Sequence, residues 1–185
     1  MKIINKINGI KIGKNVRYCG MPVVYKYKKS KIEIGNNVVI KSSFLSNLIG
    51  LYQRTIIVTR CSGASIKIGD NVGMSGVTIY ARKSIEIGRN TLIGGNVKII
   101  DNDFHPLEVE ARSIDDKTKI KAKPVKIGNN CFVGVNSIIL KGTELGDGCV
   151  VGAGSVVSGV FPPNSVIAGN PARIIKVINN ESSSN

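Results

Sequence analysis

From Ile127 onward the large aliphatic residues fall at a fixed interval. Ile127, Val133, Ile139, Leu145, Val151 and Val157 each stand six residues after the last. Gly follows four of them (Gly128, Gly134, Gly146 and Gly152), and a small side chain stands four residues beyond each of the first five: Cys131, Ser137, Thr143, Cys149 and Ser155. Six residues are neither a helical nor a simple strand period. The pattern predicts a triangular solenoid in which one hexapeptide makes one flat side with its aliphatic residue inward, and Gly or Asn takes the corner because positive φ is easy there. Three hexapeptides close a coil, so residues 18 apart stack as parallel strands: Ile127 under Leu145, Val133 under Val151, Cys131 under Cys149. Stacked coils bury what a single coil cannot.

The same grammar appears earlier with interruptions. Ile87-Gly88, Ile93-Gly94 and Ile99 form one run, with Thr91 and Val97 at the small-residue position. Ile68-Gly69-Asp70-Asn71-Val72, Ile34-Gly35-Asn36-Asn37-Val38 and Ile12-Gly13-Lys14-Asn15-Val16 begin three others. The breaks near 19–31, 44–65 and 101–124 read as loops leaving the prism, and no amphipathic helix stands out. The expectation is an all-β, three-sided parallel solenoid with protruding loops, forming one domain over 1–177. The last residues, 178–185, ending Glu181-Ser-Ser-Ser-Asn185, read as a disordered tail.

Composition narrows the function classes. Of 185 residues 42% are hydrophobic and 21% charged, which fits a globular chain, and aromatics are scarce at 5%. The formal net charge of +14 attracts anions: nucleic acid, an anionic membrane or a phosphate-bearing cofactor. No nucleic-acid motif accompanies the Lys residues, and aromatics do not interleave with them as a base-stacking surface requires. Nucleic acid is therefore not an expected partner. The four Cys lack CxxC spacing, which argues against a metal site. No apolar run approaches a membrane span, and the opening Met-Lys-Ile-Ile-Asn-Lys-Ile shows no secretory signal, so a cytoplasmic protein is expected.

Three stretches are more specific: Asp-Asn-Asp-Phe-His-Pro (101–106), Val-Gly-Ala-Gly-Ser-Val-Val (151–157) and Pro-Pro-Asn-Ser-Val-Ile-Ala-Gly-Asn-Pro-Ala-Arg (162–173). With the repeats they resemble the hexapeptide-repeat acyltransferases, in the branch of galactoside, maltose and surface-polysaccharide O-acetyltransferases. The resemblance is strong over about 66–177. It implies a left-handed parallel β-helix (the periodicity leaves the hand open, and most crossovers are right-handed), a homotrimer, and acetyl transfer from acetyl-CoA to a sugar hydroxyl.

The chain's one His, His105, stands where the 101–124 excursion leaves a regular coil. Neutral imidazole suits proton abstraction near pH 7, and loops on a rigid scaffold commonly carry chemistry. By resemblance His105 is the general base, with Asp103 or a backbone carbonyl to orient it. The oxyanion donor maps to the Gly134–Val135 region. Ser75 matches a position where sugar acetyltransferases often carry Asn, and Tyr80 and Arg82 are candidates to face the acceptor. For acetyl-CoA the matching positions are Gly134, Val135, Ala153, Ser158, Gly159, Arg173 and Lys176. The two cations there suit phosphate, and Gly159 stands where many relatives have Lys. A γ-type carbonic anhydrase on this fold would need three His, which one His cannot supply. Remaining alternatives are an amino-sugar or antibiotic acceptor, or a non-catalytic β-helix module.

Overall fold

The computed structural model describes residues 9–178. The opening segment of the no-signal reading and residues 179–185 of the tail reading lie outside the described residues. Ile178, the first residue of the tail reading, donates its N–H to the Asn164 carbonyl at 2.8 Å.

Three sheets of seven, eight and six strands form the sides of the prism, parallel throughout except for the last strand of the second, which is antiparallel. The expected stacking is present: Ile127 pairs with Leu145, and Val133 with Val151. Inward aliphatics such as Ile32, Ile66, Ile85 and Ile127 run up one side, Ile40, Met74, Ile93 and Val133 up the next, and Ile57, Ile79, Ile99 and Ile139 up the third. This column is the core.

The corners follow the expected chemistry. Asn15, Asn37, Asn71, Asn90 and Asn130 all lie at φ between 55° and 58°. Asn15, Asn37, Asn71 and Asn90 each donate a side-chain amide to the next Asn of the series, at 2.9–3.1 Å. Asn tolerates this left-handed conformation because its short polar side chain bonds locally. The ladder runs up the edge between the first and second sheets.

Two of the predicted loops are corrected. Within 19–31, Val23–Tyr25 is a strand of the third sheet, and within 44–65, Ile56–Thr59 is the strand stacked on it. In neither stretch does a Gly follow the inward aliphatic residue, since Tyr25 follows Val24 and Val58 follows Ile57, so the period is silent there while the prism continues. What leaves the prism is a shorter loop between Lys41 and Ile56, at the edge between the second and third sheets. The 101–124 excursion is a true one, leaving at the edge between the third and first sheets. It holds a short helix, Val109–Ser113, that the pattern does not announce.

The outward faces differ. On the first sheet Lys11, Glu33, Lys67, Glu86, Lys126 and Glu144 stand in register, alternating in sign. The second sheet instead presents Val39, Leu92, Phe132, Val150 and Val166, and the third Ile56, Ile138 and Val156 among polar residues. The basic excess therefore does not come from that ladder.

Cys131 and Cys149 are buried, their thiols donating to the carbonyls of Gly146 and Pro162 at 3.3 and 3.1 Å. Burial pushes the Cys131 thiol from 9.0 up to about 11 and raises Cys149 as well. A raised folded-state value keeps its stability contribution below the unfolded value and loses it as pH rises through the folded one. Unfolding free energy is thus expected to hold to pH ~9 and fall toward pH ~11. At neutral pH the exposed Cys19 should label with a maleimide far faster than Cys131 or Cys149; equal rates, read by mass spectrometry, would contradict the packing.

Candidate active site

The excursion is fastened at its base by Asp101. This fully buried carboxylate accepts N–H groups from Arg82 at 2.8 Å and Lys83 at 2.6 Å on the preceding coil, and the Asn102 amide at 3.0 Å. Burial raises its pKa, and the bonds from Arg82, Lys83 and Asn102 pull the other way. The returning strand closes on it through Lys123 N–H to Asp101 O at 2.9 Å and the Asn102–Ala122 bridge.

Phe104 follows at φ 62°, a left-handed conformation unusual for a bulky side chain. Its N–H bonds the Asn102 side-chain oxygen at 2.9 Å, and its ring lies 4.8 Å from that of Tyr80 on the coil below. Such a conformation costs on the order of 1–3 kcal/mol and persists only where the surroundings over-determine it. Here it turns the chain so that the next residue, His105, stands exposed at a cavity.

That cavity, about 690 Å³, is lined by His105, Phe104, Tyr80, Arg82, Tyr27 and Arg60 among others. The structure thus brings His105, Tyr80 and Arg82 together. It does not bring Ser75 to them. Ser75 lies on the second sheet, across the width of the third sheet, and its hydroxyl accepts the Asn47 amide at 3.1 Å, tying down the loop before Ile56.

Asp103 is also placed differently from the expectation of an orienting carboxylate. One oxygen is paired with the Lys141 ammonium from the next coil, and the other is buried without a partner. Its link to His105 is through the backbone, His105 N–H to Asp103 O at 2.7 Å. No hydrogen bond among the described residues reaches the imidazole.

The positions matched to acetyl-CoA divide between two edges of the third sheet. Ser158 and Gly159 lie on the His105 edge, on a later coil. Gly134, Val135 and Ala153 lie on the opposite edge. Gly134 is buried and its N–H already serves Val151 O at 2.8 Å, which removes it as an oxyanion donor. A Cβ there would stand 2.5 Å from the Ala153 nitrogen, so close stacking of coils is what requires glycine. The Val135 N–H has no hydrogen bond among the described residues. Arg173 and Lys176 sit on the exposed antiparallel strand Ala172–Val177 that closes the later end.

Comparison with known proteins matches the fold and motif reading. A family model described as the hexapeptide repeat of succinyl-transferase fits residues 124–158. A putative lipopolysaccharide-biosynthesis O-acetyltransferase of Escherichia coli is 41% identical over 122 residues, covering 63% of this chain and 62% of that protein. A putative acetyltransferase of Saccharomyces cerevisiae is 34% identical over 148 residues, covering 77% of this chain and 74% of the other. The chain belongs to the hexapeptide-repeat acyltransferase family. A solved maltose O-acetyltransferase from Clostridium difficile is 35% identical over 68% of this chain and 66% of its own, with a TM-score of 0.55. The solenoid is thus the family's left-handed parallel β-helix.

Sequence reasoning missed several residues of this hexapeptide-repeat site. Asp101 lies inside the quoted motif, but nothing in the sequence says that its carboxylate turns back to the previous coil. Lys141 and Arg60 carry no local signal and reach the site only because stacking folds separated stretches onto one edge, whereas Lys117 reaches it on the excursion itself.

Proposed function

We propose that this protein transfers acetyl from acetyl-CoA to a hydroxyl of a sugar, in surface-polysaccharide biosynthesis, with His105 as general base. The observation that carries the reading is the placement of the chain's one imidazole: exposed, free of protein hydrogen bonds among the described residues, and held at the mouth of a cavity by a strained Phe104 and a buried Asp101. A ring nitrogen of His105 takes the acceptor proton as the hydroxyl oxygen forms its bond to the acetyl carbonyl carbon. The carbon–sulfur bond then breaks, and the proton passes to the leaving thiolate. Products are the acetyl ester and CoA.

The division of matched residues over two edges supports a homotrimer. In one chain the Val135 N–H and His105 are separated by the third sheet; a second copy presenting its Val135 edge to the His105 edge completes the site. The apolar outward faces of the second and third sheets, beside the charge-balanced first, support the same arrangement. Val135 N–H of the neighbouring copy then supplies the oxyanion donor, and acetyl-CoA runs from there toward Ala153, Ser158 and Gly159. Arg173 and Lys176 meet its phosphates.

Four free cysteines favour a reducing compartment, and we place the enzyme in the cytoplasm. Among the described residues, no helix is long and apolar enough to cross a membrane and no cluster suits a metal ion.

Arg173→Ala tests the donor site. The dissociation constant for acetyl-CoA, measured by calorimetry, is expected to rise about tenfold, the size of one charged hydrogen bond. Acceptor affinity should stay as it is. An unchanged acetyl-CoA constant removes Arg173 from the donor site.

A further inference from the structure

We propose that the acceptor is a phosphorylated sugar whose phosphate or pyrophosphate is held by Arg60, Arg82 and Lys117 in the cavity beside His105. This rests on the reading of His105 as the base, since it places the reacting hydroxyl and the anionic end of one molecule in the same cavity.

The cavity carries an excess of positive charge. Three cations line the cavity against one carboxylate, Asp115, which is exposed and 3.3 Å from Lys117. Neither Arg60 nor Arg82 forms an ion pair with a carboxylate among the described residues. Lysine-rich drift does not account for this, because on the first sheet the charges alternate and are matched in register. Here the excess is local and two of its members are Arg, the side chain whose planar fork matches phosphate oxygens.

Arg82 is steered by a bond from Nη2 to the Lys117 carbonyl at 3.3 Å, which leaves its other N–H groups available. The Arg60 guanidinium lies 5.4 Å from the centre of the Tyr25 ring. The Tyr80–Phe104 pair and Tyr27 add aromatic faces to the same wall, suited to a sugar ring or a base.

Position along the prism separates this anion from those of acetyl-CoA. Tyr27, Arg60 and Arg82 stand on coils before the one bearing His105, whereas Ser158, Gly159, Arg173 and Lys176 stand on coils after it. One co-substrate therefore approaches His105 from each end. The cation chemistry suits either a nucleoside-diphosphate sugar or a sugar on a polyprenyl pyrophosphate; both present the same diphosphate.

Calorimetric titration of the full chain, saturated with CoA, decides the matter with three probes: inorganic pyrophosphate, uridine diphosphate and farnesyl pyrophosphate. At least one is expected to bind, and Arg60→Gln and Arg82→Gln should each weaken it about tenfold. Arg82→Lys should recover part of the loss, and unchanged melting temperatures will show that the variants fold. Tighter binding of uridine diphosphate than of pyrophosphate points to the nucleotide source, and tighter binding of farnesyl pyrophosphate to the lipid one. The proposal is overturned if none binds with CoA present, if CoA displaces the probe, or if neither substitution changes its affinity. Wild-type protein that binds diphosphate yet transfers no acetyl to any sugar would sink the catalytic reading and leave this one standing.

Discussion

His105→Ala is expected to lower acetyl transfer by about 10²–10⁴-fold, the range that a positioned general base supplies. The fall should appear in kcat, with the KM for acetyl-CoA nearly unchanged, because the positions matched to the donor lie on later coils and across the third sheet. Stability should not move. His105 is exposed, its side chain makes no hydrogen bond among the described residues, and the loop is held by its neighbours rather than by the imidazole. Thermal unfolding and steady-state CoA release on the same preparation separate these statements. Turnover within a few-fold of wild type would remove His105 from the chemistry.

The second large effect belongs to a residue that touches no substrate. Asp101→Ala is expected to destabilise the protein by about 2–6 kcal/mol, because two N–H groups that its carboxylate satisfies, from Arg82 and Lys83, lose their acceptor and each orphan costs about 1–3 kcal/mol. Activity should fall too, since the base of the His105 loop is tied to the previous coil through this side chain. Comparison with Asp103→Ala is informative. Asp103 pairs with Lys141 and joins the loop to the following coil, but it is only partly buried and already has one unpartnered oxygen. Its removal should cost less stability than that of Asp101. Denaturant unfolding of the two variants gives the order, and the reverse order would mean that the loop is anchored from the later coil.

How far the sequence could be read depended on how strictly each stretch repeats. Where coils contain nothing but hexapeptides, as between Asn129 and Asp147, bonded partners are 18 residues apart and each inward residue is predictable. Lower in the prism the corresponding separations are 22, 34, 19 and 40, because extra residues leave at the corners. Inward-facing Ile12, Ile34, Ile68 and Ile87 were still legible from the Gly and Asn that follow them. Val23–Tyr25 and Ile56–Thr59 were not, since no Gly follows their inward Val24 and Ile57.

The site divides in the same way. His105 could be found from rarity and position. The roles of Asp103, Ser75 and Gly134 depend on what stacks above and beside them, which is long-range information. Lys141 occupies Asp103, Asn47 occupies Ser75, and the Ala153 coil presses on Gly134. The cations Arg60, Arg82 and Lys117 are far apart in the chain and meet only on the folded edge.

Activation of a sugar hydroxyl toward acetyl-CoA by His105 is tested by CoA release from acetyl-CoA across a panel of sugars, sugar phosphates, nucleotide sugars and amino sugars, with mass spectrometry of the product. Thiol release is expected to require both an acceptor and His105, and the product to be heavier by one acetyl group that mild base removes, as an ester demands. A base-stable amide product, or release equal in wild type and His105→Ala, would contradict it.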